Sequence, residues 1–171
     1  MSIEVWTSKT IDECSDTKKL DTFRCNFDLL GIGSAKAQNL HSSISSTDKL
    51  QESPSHVVLL CYEPEKLIPL GFLKYGRKDL FLYTNNGSLV ESKNSFCLLD
   101  FYVTESKQRS GIGLLLFQNM LERTGIDPSK IAYDRPSPKL LAFLHKHYSL
   151  QNHCLQPNRF AVFDSKFHYK S

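Results

Sequence analysis

The run Gln108-Arg109-Ser110-Gly111-Ile112-Gly113 has the residue types and the spacing of an anion cradle. It follows an apolar, strand-like run over 96–103 and opens an apolar, helix-like run over 112–123. The first N–H groups of a helix have no acceptor inside it, and the helix dipole favours negative charge there. Glycine permits a tight, concave backbone and a close approach by a ligand. Arg109 adds a fixed positive charge suited to phosphate. A pyrophosphate is the ligand that fits.

The spacing separates the pyrophosphate-binding loops. A dinucleotide fingerprint needs Gly-x-Gly-x-x-Gly, but position 106 is Ser and no third glycine follows. A Walker loop ends in Gly-Lys-Ser/Thr, which is absent. What remains, Gln-Arg-x-Gly-x-Gly, resembles the acyl-CoA loop of the GNAT superfamily of N-acetyltransferases. That resemblance implies acetyl-CoA as co-substrate. Its diphosphate would lie on Gln108, Arg109, Ser110, Gly111, Ile112, Gly113 and Leu114. Backbone groups of Phe101, Tyr102, Val103 and Thr104 would pair with the pantetheine arm where two central strands splay. Ser137, Pro138, Lys139, Ala142, Phe143 and Lys146 would close the other side.

The elements that must position this loop follow from periodicity. Thr22 to Leu40 reads as a helix, with Phe23, Phe27, Leu30, Ser34 and Ala37 near one face. Gly31 and Gly33 weaken it by about 1 kcal/mol each, and point to a break or to a close approach by another element. Residues 41–55 are Ser-rich and read as a mobile loop. Val57 to Tyr62 is a strand. Leu70 to Tyr75 and Leu80 to Tyr83 flank Gly76-Arg77-Lys78-Asp79 as a hairpin. Asn85-Asn86-Gly87 is a turn, extended by polar residues 88–94. After the central strand and the loop helix, Gly125 and Pro128 stop the chain. Residues 131–133 form a short strand. Ser137-Pro138 caps a helix carrying Leu140, Leu141, Leu144 and Tyr148, and 160–163 is a last strand. The expected fold is α/β (α+β) of GNAT type: a mixed, mostly antiparallel sheet with splayed central strands, flanked by helices. One domain over 1–171 is expected, with 1–21 peripheral.

Composition limits the partners. The 171 residues are 40% hydrophobic and 11% aromatic, enough to bury a core. A net charge of +3 is too small to argue for nucleic acid. No apolar run is long enough to span a bilayer. Five cysteines without a Cys-x-x-Cys pair, and no visible secretory leader, predict a reduced cytoplasmic setting. The six histidines are scattered, and no metal is expected.

Three further stretches carry a narrower resemblance. They are Gly33-Ser34-Ala35-Lys36-Ala37-Gln38-Asn39-Leu40, Cys97-Leu98-Leu99-Asp100-Phe101-Tyr102-Val103, and Asp134-Arg135-Pro136-Ser137-Pro138-Lys139-Leu140 with the four residues after it. Together with Gln108-Arg109 and His147-Tyr148, they closely resemble the α-tubulin N-acetyltransferases. The likeness runs over residues 28–165. It implies acetyl transfer to the lysine of α-tubulin that faces the microtubule lumen. The protein would be a monomer on microtubules, in cilia or neurons. The alternatives are a GNAT enzyme for another protein lysine or a small amine, and a catalytically silent microtubule-associated protein. Departures are Ser110 and Ile112 within the loop, Asp79 at a position where members tend to be basic, an unmatched first twenty residues, and no long polar tail.

The chemistry has three demands. A lysine ammonium, reference pKa about 10.4, must lose a proton. An oxyanion must be stabilised, and a thiolate must leave. Direct attack within a ternary complex needs no acyl-enzyme. The resemblance gives Asp134, Cys97 and Gln38 to this work. Asp134 is the proton acceptor, at the carboxyl edge of its strand. Cys97 shares protons with it or shapes the lysine channel. Gln38 orients the substrate or a water. Pro136 is expected to hold Arg135 extended, turning its side chain away from Asp134. Asp100, three residues from Cys97, faces the other way and reads as structural. Lys74, Arg77, Lys78 and Arg135 are the cations expected to meet an acidic tubulin surface.

Overall fold

The computed structural model describes residues 1–163. Residues 164–171 of the expected domain lie outside the described residues. The elements are β1 (Ser2–Trp6), α1 (Ser8–Glu13), α2 (Thr17–Ala37), α3 (Thr47–Gln51), β2 (Val57–Glu63), β3 (Ile68–Tyr83), β4 (Leu89–Val103), α4 (Ile112–Thr124), β5 (Ala132–Asp134), α5 (Pro138–Tyr148), β6 (His153–Leu155) and β7 (Phe160–Phe163). The sheet order is β1-β2-β3-β4-β5-β7-β6. β4 and β5 run parallel, while β1–β2, β2–β3, β5–β7 and β6–β7 are antiparallel. The mixed, mostly antiparallel α+β architecture expected from the sequence is the one observed. The chain divides into two compact units: Met1–Tyr75 with Asp100–Arg123, and Gly76–Leu99 with the chain from Thr124.

In the first unit, α2 lays Phe23, Phe27 and Leu30 against Trp6, Val58, Leu60 and Phe72. Trp6 stacks on Phe23 at 4.2 Å, Phe23 on Phe27 at 5.4 Å, and Phe27 meets Phe72 edge-on at 5.2 Å. Each such buried ring contributes roughly 1.5–3 kcal/mol by area alone. Residues 1–21 are therefore not peripheral. β1 pairs along its whole length with β2, and Trp6 and Ile11 are core residues. The short, polar-flanked β1 has no periodicity strong enough to announce it.

α2 starts earlier than expected, capped by Asp16, whose side chain accepts from the Lys19 N–H. It runs unbroken through both glycines because other elements come close. A Cβ at Gly31 would lie 1.9 Å from the Ser45 carbonyl oxygen, and one at Gly33 2.9 Å from the Tyr102 ring. The Ser-rich 41–55 segment is not a free loop. Thr47 donates through N–H and Oγ to Asp28 at 2.7 and 2.9 Å, and α3 follows at once. Ser45 and Thr47 are fully buried.

In the second unit, Leu80, Leu82, Cys97, Leu99, Ala132, Phe160 and Val162 form the core. The expected hairpin turn at Gly76-Arg77-Lys78-Asp79 does not exist, because β3 continues straight through it. The polar residues after Ser88, 89–94, are likewise strand, not loop. Two side chains of the polar run serve the neighbouring strand. Asp79 Oδ1 accepts from the Asn94 N–H at 2.7 Å, and Arg77 Nη1 donates to the Asn94 carbonyl at 3.0 Å. They hold Asn94 at φ 52°. The chain turns at Asn85-Asn86-Gly87 as expected, with Gly87 at φ 82° and the Thr84 N–H on the Ser88 carbonyl at 2.8 Å.

Tyr133 is fully buried in β5 and its hydroxyl donates to the Pro128 carbonyl at 2.7 Å. Burial pushes its ionisation well above the usual tyrosine range, and the neighbouring Tyr148 and Asp127 add to this. The folded-state value is raised. Its contribution is therefore complete below pH about 10 and is lost at higher pH, as the unfolded chain ionises and the folded chain does not. Tyr133→Phe is expected to cost about 1 kcal/mol near neutrality and to fall less steeply above pH 10. Urea midpoints followed from pH 8 to 11 check this; parallel curves for the two proteins would contradict it.

Candidate functional site

The glycine loop is built by two left-handed residues within three positions. Arg109 has φ 63° and Gly111 φ 88°. Among the described residues, nothing lies within 4 Å of a Cβ built on Gly111, so conformation rather than crowding demands glycine there. Gln108 ties the loop back to the end of β4, its Nε2 donating to the Val103 carbonyl at 3.0 Å. Ser110 Oγ donates to the Lys107 carbonyl. The ladder of α4 begins with Leu115, whose N–H reaches the Gly111 carbonyl at 3.0 Å. The amides of Ile112, Gly113 and Leu114 precede that ladder. Ile112, Leu116, Phe117 and Met120 anchor α4 in the core.

β4 pairs with β5 through Cys97–Ala132 and Leu98–Tyr133. β4 itself continues to Val103, so Leu99 to Val103 run on past the end of that ladder. Phe101, Tyr102, Val103 and Thr104 are half-buried there. On the other flank of β4, the Thr104 N–H donates to the Leu70 carbonyl at 2.9 Å. A Cβ at Gly71 would lie 2.7 Å from the Tyr102 carbonyl.

Gln38 is the C-cap of α2. Asn39 follows at φ 54°, its N–H on the Lys36 carbonyl and the Leu40 N–H on the Ala35 carbonyl at 2.9 Å. This is a Schellman ending, with asparagine in the left-handed position that it tolerates better than other side chains do. Gln38 Nε2 donates to Ser34 Oγ at 2.9 Å and to Asp100 Oδ1 at 3.2 Å. Asp100 is buried, and also accepts from Ser34 Oγ at 2.7 Å, Ser45 Oγ at 2.5 Å and the Phe101 N–H at 3.0 Å. Sequence reasoning names no partner for Gln38. The i, i+4 spacing of Ser34 and Gln38, with one acid in the otherwise apolar run 96–103, is the signal that could have found it.

Cys97 is 0% exposed and its Sγ donates to the Ser95 carbonyl at 3.3 Å. It stands in register with Ala132, two residues before Asp134. Asp134 ends β5 opposite Phe160, with its side chain 13% exposed. The expected extended Arg135 is corrected. Its φ is 44°, its N–H donates to the Arg159 carbonyl at 3.0 Å, and its Nε meets Asp134 Oδ1 at 3.3 Å. A left-handed arginine before proline is a strained conformation, of a kind that costs about 1–3 kcal/mol and collects at functional sites.

α5 begins as expected, with Ser137 accepting from the Leu140 N–H at 3.1 Å and Pro138 in the first turn. Lys139, Ala142 and Lys146 are exposed and Phe143 is half-buried. Leu144 is the helix's buried residue, so the predicted four-residue stripe is narrower than periodicity suggested. Among the proposed surface cations, Lys74 is corrected: it is 6% exposed and its Nζ donates to the Ile44 carbonyl at 2.7 Å. Arg77 lies over the Phe96 ring at 5.5 Å, and with Lys78 it is exposed in mid-strand rather than at a hairpin tip.

Comparison with known proteins gives a consistent result. The family model described as GNAT acetyltransferase, Mec-17 matches residues 4–171, including most of the amino-terminal stretch in which the sequence carries no obvious likeness. The chain is 45% identical over 147 residues to alpha-tubulin N-acetyltransferase 1 of Danio rerio, covering 84% of this chain and 49% of that protein. It is 46% identical over 138 residues to the alpha-tubulin N-acetyltransferase of Tetrahymena thermophila, covering 81% and 34%. The chain thus spans half or less of the length of these relatives. Among solved structures, a point mutant of the BH1408 protein from Bacillus halodurans superposes with a TM-score of 0.55 at 14% identity, covering 89% and 94%. The xEco2 acetyltransferase domain, solved bound to a lysine–CoA conjugate, gives 0.55 at 9% identity, covering 94% and 90%. Likeness at these identities concerns the fold.

Proposed function

The chain belongs to the Mec-17 family of GNAT acetyltransferases, and on that premise we propose that it moves the acetyl group of acetyl-CoA to a lysine ε-amine of α-tubulin, the residue facing the microtubule lumen. The observation that carries the coenzyme half is the loop at 108–114. Two left-handed residues lead into three helix-initial amides, and Arg109 is exposed beside them. Gly113 adds support. A Cβ there would make only ordinary contact, 3.4 Å from Phe101, so the chain's own packing does not require glycine. Close approach by a diphosphate does.

The lysine half rests on the relatives' names and on the three site residues carried over. The neutral amine attacks the thioester carbonyl carbon, the C–N bond forms, and the C–S bond breaks. Asp134 takes the ammonium proton before attack, and the second proton, shed by the acylated nitrogen, goes to the CoA sulfur as it leaves. Cys97, fully buried, shapes this site rather than carrying acetyl. Gln38 orients the incoming chain. Arg77 and Lys78 contribute steering toward an acidic polymer surface, an effect that weakens with salt.

Acetyl transfer measured side by side on polymerised tubulin, free tubulin, polyamines and histone peptides tests the reading. Preference for tubulin is the expected result. Turnover of polyamines alone would give the chain to a small-amine acetyltransferase, and microtubule binding without coenzyme consumption to a silent binding protein. Gly111→Ala is expected to weaken acetyl-CoA binding about tenfold in a calorimetric titration, since about 1–2 kcal/mol is needed to hold alanine left-handed. Unchanged affinity would remove the loop from the coenzyme site.

A further inference from the structure

Asp100 reads from the sequence as structural, yet it lies at the centre of a buried cluster that ends on Gln38. The hydrogen bonds fix which way each group points. A carboxylate only accepts, so Asp100 Oδ1, 3.2 Å from the Gln38 side chain, must face the amide NH2 and not its oxygen. The Ser34 hydroxyl spends its single proton on Asp100 Oδ1 at 2.7 Å. It can therefore only accept from Gln38, at 2.9 Å. The two acceptors are 2.7 Å apart, too close as seen from Nε2 for the diverging N–H bonds to serve one each, so they share the inward-facing proton of the Gln38 amide and fix its nitrogen inward. Ser45, through its 2.5 Å bond to Oδ2, and the Phe101 N–H, at 3.0 Å to Oδ1, keep the carboxylate from rotating. Ser34 and Ser45 are each 1% exposed and Asp100 is 5% exposed, so water competes little for these bonds.

We propose that Asp100 and Ser34 are positioning residues that lock the Gln38 amide with its nitrogen inward and its oxygen outward, so that Gln38 offers that oxygen to an N–H donor of the incoming lysine segment. This rests on the lysine acetyltransferase reading given above. The side chain accordingly holds its oxygen ready for a peptide N–H or the lysine nitrogen. A glutamine with free rotation would do so only at the cost of fixing its orientation in every encounter. The Schellman ending at Asn39 holds the Gln38 backbone, and the Asp100 cluster holds its head group.

A double-mutant cycle on an α-tubulin lysine substrate tests this. Gln38→Ala and Asp100→Ala are each expected to lower kcat/KM about tenfold or more, and the double variant to fall no further than Gln38→Ala alone. Acetyl-CoA affinity should stay within about twofold in all three. Asp100→Asn keeps an oxygen at the Oδ1 position while Ser45 turns to accept, and should recover most of the Asp100→Ala loss. Should Asp100→Ala not fold, Ser34→Ala takes its place in the cycle. Losses that multiply, or Asp100→Asn as poor as Asp100→Ala, would overturn the proposal. If the wild-type protein acetylates no lysine, the enzymatic reading fails by itself. The lock is then judged by the NMR resonances of the Gln38 side-chain amide protons. They should move on Ser34→Ala; unmoved resonances would overturn the lock.

Discussion

Asp134→Asn is expected to lower the acetyl-transfer rate at saturating substrates by about 10²–10⁴-fold, the range a positioned general base contributes. The variant keeps the size of the side chain and can still meet the Arg135 guanidinium edge through its oxygen, so binding of acetyl-CoA should survive. It cannot accept the ammonium proton. The measured rate of the variant should then follow hydroxide concentration over a wider pH range than that of the wild type, because free deprotonation of the amine replaces transfer to the carboxylate. The ion pair at 3.3 Å bears on this result. It is a single contact to one oxygen, made by an arginine whose own backbone is strained at φ 44°. A carboxylate has about four acceptor positions, so one such contact aims the group without using it up. Arg135→Lys should therefore cost far less than Asp134→Asn. Comparable losses in the two would mean that the pair, and not the carboxylate, matters. Full turnover with an unchanged pH profile in Asp134→Asn would end the assignment.

Gly31→Ala is expected to destabilise the first unit by about 3 kcal/mol, although alanine in a helix interior is ordinarily better than glycine by about 1 kcal/mol. The sign reverses because the new methyl would stand 1.9 Å from the Ser45 carbonyl oxygen, a backbone atom that cannot rotate aside. Nor can the segment retreat cheaply. Its neighbour Ile44 is held by Lys74, Ser45 by Asp100, and Thr47 by Asp28. Gly33→Ala should cost less, since the atoms that it meets at 2.9 Å belong to the side chain of Tyr102. Urea unfolding of the two variants beside the wild type decides the matter. A Gly31→Ala protein as stable as its parent would mean that 43–47 moves freely.

These two positions show what is legible in the sequence. The loop at 108–114, its helix, the Ser137-Pro138 cap and the Asn85–Gly87 turn can be read directly, because each is fixed by local chemistry within a few residues. The failures share another character. Gly76-Arg77-Lys78-Asp79 has the composition of a turn, but its charges serve Asn94 fifteen or more residues away. The serines of 41–55 look solvent-loving, yet Ser45 and Thr47 satisfy carboxylates on β4 and α2. Lys74 looks like a surface cation and is buried on a carbonyl. The proline rule places Arg135 in an extended conformation, and the Arg159 carbonyl and the Asp134 carboxylate override it. Polar side chains with distant partners are where pattern reading fails, since composition alone cannot say who the partner is.

The brevity of β5 has a kinetic consequence. Its parallel register with β4 consists of two residue pairs, and the chain between them must first fold into α4 and the turn that follows. Parallel rungs of this separation reward the chain only after a long loop has been closed. Assembly therefore has a natural order. The meander of β2 to β4 condenses from near neighbours, and the strand that carries Asp134 arrives later, docking the proposed proton acceptor once that meander stands.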